Sequence, residues 1–442
     1  MHYPSLDFLN AFGRIDIYMM LALIKAPLKL KTYLRKFQFE ENFNLFSALA
    51  AGSETLLNFY DVGGRKYAKY INEFWTAKQR QASSLHEISY RACFKPQLPR
   101  FFIELLSKKG DLVYDPFGGR GTTAIEAGLL DRQVASNDIN PLSKVLAYPR
   151  FFIPTVGEIV NRLDIIPLAY NINADIDLSM FYHPKTESEI LSLRNYLLGR
   201  QHKKLEDKFD LWIRMIATNR LTGHSKGFFS VYTLPPNQAV SPANQVKINI
   251  KREQKPEYRN MKQIILEKTS NLLRNIDAEE KEVLRRAGNS ALFLTQDARR
   301  TPEIYNNSVQ LVVTSPPFLD VVNYSQDNWL RCWFNGINDK QISKNITMCR
   351  NINTWINVMR AVFDELFRVV KKGGWVAFEV GEVRSGTINL EEHVIPMGLA
   401  AGFECVGILV NMQTFTKTSN IWGIKNNIRG TNTNRVVIFY KK

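Results

Sequence analysis

The sequence predicts an α/β protein: a parallel sheet interrupted by an inserted, mostly helical and basic domain. A strand–turn–helix–strand unit runs from Leu112 to Asp138. That alternation is lost between about 150 and 287, where Lys and Arg are frequent, and the strand pattern resumes at Ala291. Strands alternating with single helices imply parallel pairing, because parallel neighbours need a crossover connection between them.

Each element follows in chain order. Residues 1 to about 60 read as helical and mixed and carry no chemistry that can be placed. Within them Ile17 to Leu28 is apolar, but Lys25 interrupts it. It falls short of the roughly 20 apolar residues of a membrane span and lacks a signal-peptide pattern. A basic and aromatic stretch follows, Tyr67 to Arg91. Pro99 is expected to open an amphipathic helix over Arg100 to Ser107, a position where its missing N–H costs nothing. The strand Leu112 to Tyr114 leads into Asp115, a glycine-rich turn and helix Thr122 to Leu130 follow, and the strand Val134 to Ser136 precedes Asp138. After the insertion come strands at Ala291 to Thr295, before Asp297, and at Val309 to Val313. The spacing of Met359, Val362, Phe363, Leu366, Val369 and Val370 predicts a helix over 354–370 with one apolar side. Strand Trp375 to Val380 and helix Leu390 to Ala401 follow. Strands Cys405 to Val410 and Arg435 to Tyr440 are expected to pair as an antiparallel hairpin at one edge. The chain thus divides into 1–85, 86–150, 151–287 (the insertion) and 288–442.

A net charge of +16 favours a polyanionic partner such as DNA, RNA or an anionic surface. The four cysteines, Cys93, Cys332, Cys349 and Cys405, form no CxxC pair, so neither a zinc ribbon nor a disulfide framework is indicated. No metal is expected, no membrane segment, and a cytoplasmic location.

Two segments carry chemistry. The first runs from Val113 to Thr123. Its glycines let the backbone pass close to a ligand beyond the strand ends, and the following helix presents free N–H groups. No Gly-Lys-Ser/Thr ending is present, which excludes a Walker-type loop. Asp138 ends the next strand, where a carboxylate can accept both ribose hydroxyls, and Asp297 is placed to accept from an adenine amine.

These residues resemble the DNA amino-methyltransferases, whose cofactor motif reads Asp-Pro-Phe-x-Gly-x-Gly-Thr-Thr. Asp115, Pro116, Phe117, Gly119, Gly121, Thr122 and Thr123 match it, and Arg120 stands where many members carry Ser. An upstream family motif that closes over the methionine end is matched by Lys95-Pro96, with His86 as a looser candidate. The resemblance implies S-adenosyl-L-methionine as cofactor and a Rossmann-like, seven-stranded methyltransferase sheet.

The second segment is Val312-Val313-Thr314-Ser315-Pro316-Pro317-Phe318. Two prolines after a buried strand do not continue it; they make a rigid loop with fixed carbonyl directions. An exocyclic amine is a poor nucleophile because its lone pair is delocalised into the ring. Hydrogen bonds from both its N–H groups to the Ser315 hydroxyl oxygen and the Pro316 carbonyl would hold it towards the methyl group. Phe318 would stack on a base flipped from the duplex, and Thr314 would flank the cofactor. In the family, Ser-Pro-Pro-aromatic goes mostly with N4-cytosine products. The resemblance covers 86 to 150 and about 288 to 442.

Double-stranded DNA is the expected substrate, with a cognate restriction endonuclease as a further expected partner. The oligomeric state is not legible. The insertion is expected to recognise DNA, with Arg214, Asn219, Arg220, His224, Lys226, Lys247, Lys251 and Arg252 as phosphate or base contacts. Trp75, Lys78, Gln79, Arg80 and Arg91 form a second candidate surface, Asn323 and Tyr324 are candidates for the base pocket, and Arg331 and Trp333 for support of that loop. Competing readings are an N6-adenine DNA methyltransferase, an RNA base-amine methyltransferase and an inactive DNA-binding scaffold. Ser315 counts against a protein glutamine methyltransferase, which usually carries Asn-Pro-Pro-Tyr.

Overall fold

The computed structural model describes residues 26–38, 55–75, 82–90, 93–234, 239–317, 327–338, 342, 351–380, 382–383, 388–412 and 433–442. Its strands are β1 (Leu56–Val62), β2 (Arg65–Asn72), β3 (Leu112–Asp115), β4 (Gln133–Asn137), β5 (Leu292–Leu294), β6 (Val309–Thr314), β7 (Val370–Val380), the short β8 (Glu382–Val383) and β9 (Ile388–Asn389), β10 (Glu404–Met412) and β11 (Thr433–Tyr440). Nine of them form one sheet in the order β1-β2-β10-β11-β7-β6-β3-β4-β5. The strands from β5 to β7 are parallel, β11 is antiparallel to β7 and β10, and β10 pairs parallel with β2.

This is a Rossmann-like α/β sheet, as the sequence predicts, but with nine strands rather than seven. The hairpin β1–β2, in a region read as helical and mixed, adds itself beside β10. The β10–β11 hairpin is therefore internal and not an edge. A further adjustment concerns Val370, which opens β7 instead of closing the preceding helix, so that Gly373 and Gly374 lie inside the strand.

The helices are α1 (26–35), α2 (Gln97–Leu106), α3 (Thr122–Leu129), α4 (Leu142–Ala147), α5 (Val156–Asp164), α6 (Pro184–His202), α7 (Lys208–Arg220), α8 (Pro242–Lys251), α9 (Met261–Leu273), α10 (Ala278–Ser290), α11 (Trp329–Phe334), α12 (Ile352–Val369) and α13 (Glu391–Ala400). Alternate residues of each central strand face opposite sides of the sheet. Val113, Leu311 and Val313 pack on one side; Tyr114, Val312 and Phe378 pack on the other, against Met359, Val362, Phe363 and Leu366 of α12.

The insertion, α5 to α10, shares the first of these cores, its Trp212, Ile216 and Leu284 being buried in the same cluster as Val113. Gly128 on α3 is the point of closest approach: a Cβ there would lie 2.9 Å from Leu284 of α10 and 2.7 Å from Phe151. The inserted helices are thus layered directly on the sheet. Their starts are encoded locally, with reciprocal side-chain caps at Thr155/Glu158, Asp207/Asp210 and Asp277/Glu280.

The chain leaves β3 towards β4 and β5 on one side, and returns as β6 on the other. Such a reversal opens a crevice beyond the carboxyl ends of the two strands, where α/β sheets bind ligands.

Candidate active site

Asp115 closes β3 and Thr314 closes β6, so adjacent parallel strands deliver them to the same crevice. The Thr314 hydroxyl donates to Asp115 Oδ1 at 2.6 Å, and the Phe117 N–H donates to the same oxygen at 3.1 Å. The glycine turn and the proline loop therefore lie side by side. Asp115 is 1% exposed, and burial pushes its carboxyl up to about 6, against the hydrogen bonds that favour its ionised form.

The turn is held to β4 by the Gly118 N–H, which donates to the Asn137 carbonyl at 2.8 Å, and by the Gly119 N–H, which donates to Asp138 Oδ2 at 2.8 Å. The other Asp138 oxygen accepts from the Asn140 N–H at 2.9 Å, and burial raises this carboxyl too. Gly121 has φ +80° as the cap of α3, and a Cβ there would overlap Ala147. The Thr123 hydroxyl reaches across to the Val313 carbonyl at 3.1 Å. Asn137, buried, donates to the Pro116 and Gln296 carbonyls at 3.3 and 3.0 Å and so ties three strand ends together.

Asp297 stands at the third strand end, where Arg299 Nε donates to both carboxylate oxygens at 2.9 and 3.0 Å and holds it below the usual carboxylate range.

Residues 82–90 and 93–96 close over the turn. A Cβ on Gly119 would lie 3.7 Å from the Tyr90 ring. Arg120 does not point into the crevice: its guanidinium donates to the His86, Ile88 and Phe94 carbonyls at 3.2, 3.0 and 3.4 Å. Arg150, completely buried, does likewise with the Leu85 and Leu146 carbonyls at 2.9 and 3.0 Å and with the Arg120 carbonyl. Burial, and then the neighbouring Arg120 charge, pushes Arg150 down to about 9. His86 joins this support through Nε2, 2.6 Å from Glu126 on α3, and burial lowers its pKa. Pro96 caps α2, which starts at Gln97, earlier than the sequence predicts, and Lys95 beside it is half-buried.

On the proline loop, Trp355 of α12 donates its indole N–H to the Pro317 carbonyl at 3.0 Å. Pro316 is buried and Ser315 partly so. Beside Ser315 stands a residue that motif reading missed. Glu379 on β7 is 8% exposed, accepts a hydrogen bond from the Ser315 hydroxyl and another from Asn434 Nδ2 at 2.6 Å, and is raised in pKa by burial. Its signal was available: a lone carboxylate inside the apolar run Trp375 to Val380 is costly unless it is used.

Several expected DNA contacts are corrected. Trp75 is 4% exposed and packs on Phe101 and Phe102, with ring centres 5.4 and 6.0 Å away, so it belongs to the core. Arg214 is buried against Glu206 at 2.6 Å, and Asn219 is buried with its amide on the Ser89 carbonyl at 3.0 Å. His224, Lys226, Lys247, Lys251 and Arg252 are exposed. Arg220 is partly buried with its guanidinium 3.9 Å over the Phe228 ring. Arg331 is buried and bonded to Asn328 Oδ1 at 3.1 Å, and Trp333 donates to Asp175 at 2.8 Å. Phe318, Lys78, Gln79, Arg80, Arg91, Asn323, Tyr324 and Cys349 lie outside the described residues. Among the described residues no cluster of acidic, His or Cys groups could hold a metal, and no helix is long and apolar enough to cross a membrane.

Comparison with known proteins bears out the resemblance read from the motifs. A family model described as DNA methylase matches residues 29–147, which hold the glycine turn but not the proline loop. The chain is 24% identical over 320 residues to the Type II methyltransferase M.BsoBI of Geobacillus stearothermophilus, covering 63% of this chain and 59% of that protein. It is 32% identical over 103 residues to the tRNA (guanine(10)-N2)-dimethyltransferase of Methanocaldococcus jannaschii, covering 20% of this chain and 29% of that one. The chain thus spans less than two thirds of the length of both relatives. Among solved structures, a TehB-like SAM-dependent methyltransferase of Corynebacterium glutamicum is similar at 8% identity and TM-score 0.28, over 78% of this chain and 87% of that one. The rRNA methyltransferase aviRa of Streptomyces viridochromogenes is similar at 9% identity and TM-score 0.31, over 82% and 92%.

Proposed function

We propose that this chain, which resembles the DNA amino-methyltransferases in both motifs, transfers a methyl group from S-adenosylmethionine to an exocyclic amine of a flipped DNA base, cytosine N4. The observation that carries the reading is the 2.6 Å bond between Thr314 and Asp115, which sets the turn and the Ser-Pro-Pro loop on one crevice.

The residues present fit the cofactor. Around the turn, Ser136 Oγ, Asn140 Nδ2 and Gln296 Oε1 are buried without partners, an array of orphan polar groups that a polar ligand would satisfy. A Cβ on Gly118 would overlap Ser136 Oγ, which keeps the approach to this array narrow. Asp138 has lone pairs left for ribose hydroxyls, and Lys95 lies where the upstream segment closes the crevice. When bound, the cofactor supplies a methyl group activated by its sulfonium charge.

The protein's own part is to orient the amine and to take its proton. With its hydrogen given to Glu379, the Ser315 oxygen would keep its lone pairs for accepting. It and the Pro316 carbonyl would accept the two amine N–H groups, turning the nitrogen lone pair towards the methyl. Forming the N–C bond, with the methyl–sulfur bond broken and a neutral thioether leaving, would make the nitrogen acidic. Its proton passes to the Ser315 oxygen, and the hydroxyl proton passes to Glu379. Burial raises Glu379, which makes its carboxylate a better acceptor than an exposed one. Ser in the motif favours cytosine N4 over adenine N6.

The test is transfer of labelled methyl to duplex DNA, followed by digestion and mass analysis. N4-methylcytosine is expected. N6-methyladenine alone would reverse the base assignment, and label entering only RNA would replace DNA as the substrate.

A further inference from the structure

Beside the crevice, a cleft of about 800 Å³ separates residues 82–90, Cys93 and Lys95 from α7 and α9 of the insertion. Its lining carries five cations, Lys95, Arg120, Arg220, Lys268 and Arg274, against one carboxylate, Glu87. That carboxylate is engaged by Arg274, which donates to both its oxygens, one of them at 3.0 Å. Lys268 is 8% exposed, and its Nζ makes only a long ion pair, 3.7 Å, with the Glu87 carboxylate that Arg274 already occupies. One further N–H on the lining, Arg220 Nε, is buried with no partner. A buried ammonium and an orphaned guanidinium N–H at an open, net-positive cleft are better satisfied once an anion is added.

The cleft also adjoins the glycine turn. Tyr90 lines it and covers Gly119, and Arg120 belongs to the turn itself. We propose that this cleft seats a backbone phosphate of the DNA strand that carries the target base, gripped by Lys268 and Arg220, with Arg274 holding Glu87 aside. The assignment rests on the DNA reading above and extends it to the place where the strand is held. A free phosphate has the same chemistry, and the experiment separates the two.

Lys268→Gln, Arg220→Gln and the double variant are compared with wild type and with Lys109→Gln, an exposed lysine at the opposite end of β3. Duplex-DNA affinity is measured across salt concentrations, and thermal melting reports folding. Losing this one phosphate contact should reduce the slope of log K against log salt by about 0.9 in the double variant and by less in each single variant, while Lys109→Gln leaves it unchanged. Arg220→Gln, at a partly exposed position, gives the same readout should Lys268→Gln fail to fold. An unchanged slope in a folded variant overturns the proposal. So does loss of inorganic phosphate binding with the DNA slope intact, which would make the cleft a free-anion site. A reduced slope in a protein that transfers no methyl to DNA would support the cleft and sink the methyltransferase reading, so the two failures are distinguishable.

Discussion

The strand-end crevice and the inserted helices are both rich in charged and polar side chains, but they use them in opposite ways. At the crevice, Asp115, Asp138 and Glu379 are buried or half-buried carboxyls, each held by hydrogen bonds from neighbouring groups and none paired with a cation among the described residues. In the insertion, several basic side chains, one of them read as a grip for a polyanion, are closed onto acidic ones. Arg162 and Arg200 bind the Asp207/Asp210 cap at 2.6 Å, and Arg214 binds Glu206. Of the insertion's expected contacts, the exposed ones and Arg220 at the cleft keep donors to offer. Residue type therefore states what a group can do, and its partners decide whether it is available.

The comparison breaks most sharply at Ser315. Ser315→Ala should lower methyl transfer about 100- to 1000-fold, the scale for removing an oriented hydrogen-bonding group from a reacting centre. DNA affinity should stay within about twofold, because phosphate contacts dominate binding. Full activity in the variant would remove the proline loop from the chemistry.

Next comes the insertion. Arg214→Ala leaves Glu206 without its partner beside a buried site, and should destabilise the protein by about 3 kcal/mol in denaturant titration. The salt dependence of DNA binding should not change. Lys226→Ala should do the reverse, shifting stability by less than about 0.5 kcal/mol while weakening DNA binding. If Arg214→Ala instead alters the salt slope and leaves stability untouched, the division between engaged and available charge fails.

The smallest effect sharpens the account of Glu379. As a proton acceptor it must be ionised, so activity is present above its pKa and is lost as pH falls through it. Since burial raises that pKa, the acid limb should lie above the ordinary carboxylate range. Glu379→Gln should reduce the rate about 10- to 100-fold and flatten the limb. A parallel loss with the limb retained would leave Glu379 a packing residue only.

Much of this was legible in one dimension. The glycine turn, Asp138, the Ser-Pro-Pro loop and the apolar side of α12 are local patterns, and the interruption between about 150 and 287 shows as lost alternation. Contacts distant in sequence left weaker traces. Glu379 is 64 residues from Ser315 in numbering, and only β6–β7 pairing in the sheet brings their elements together. Arg120 stands inside the motif yet faces away from the crevice, which follows from where the His86, Ile88 and Phe94 carbonyls lie and not from the motif.

From the chain alone come the element types, the crevice-forming loops and the excess of positive charge, because periodicity, turn chemistry and composition are properties of neighbours and sums. Tertiary packing decided the hairpin added beside β10, the role of Trp75 as core, and the engagement of Arg214 but not of Arg220 Nε. Desolvation and hydrogen-bond satisfaction depend on what surrounds an atom in space. Burial is what turns an ordinary glutamate or lysine into a proton acceptor or an anion grip.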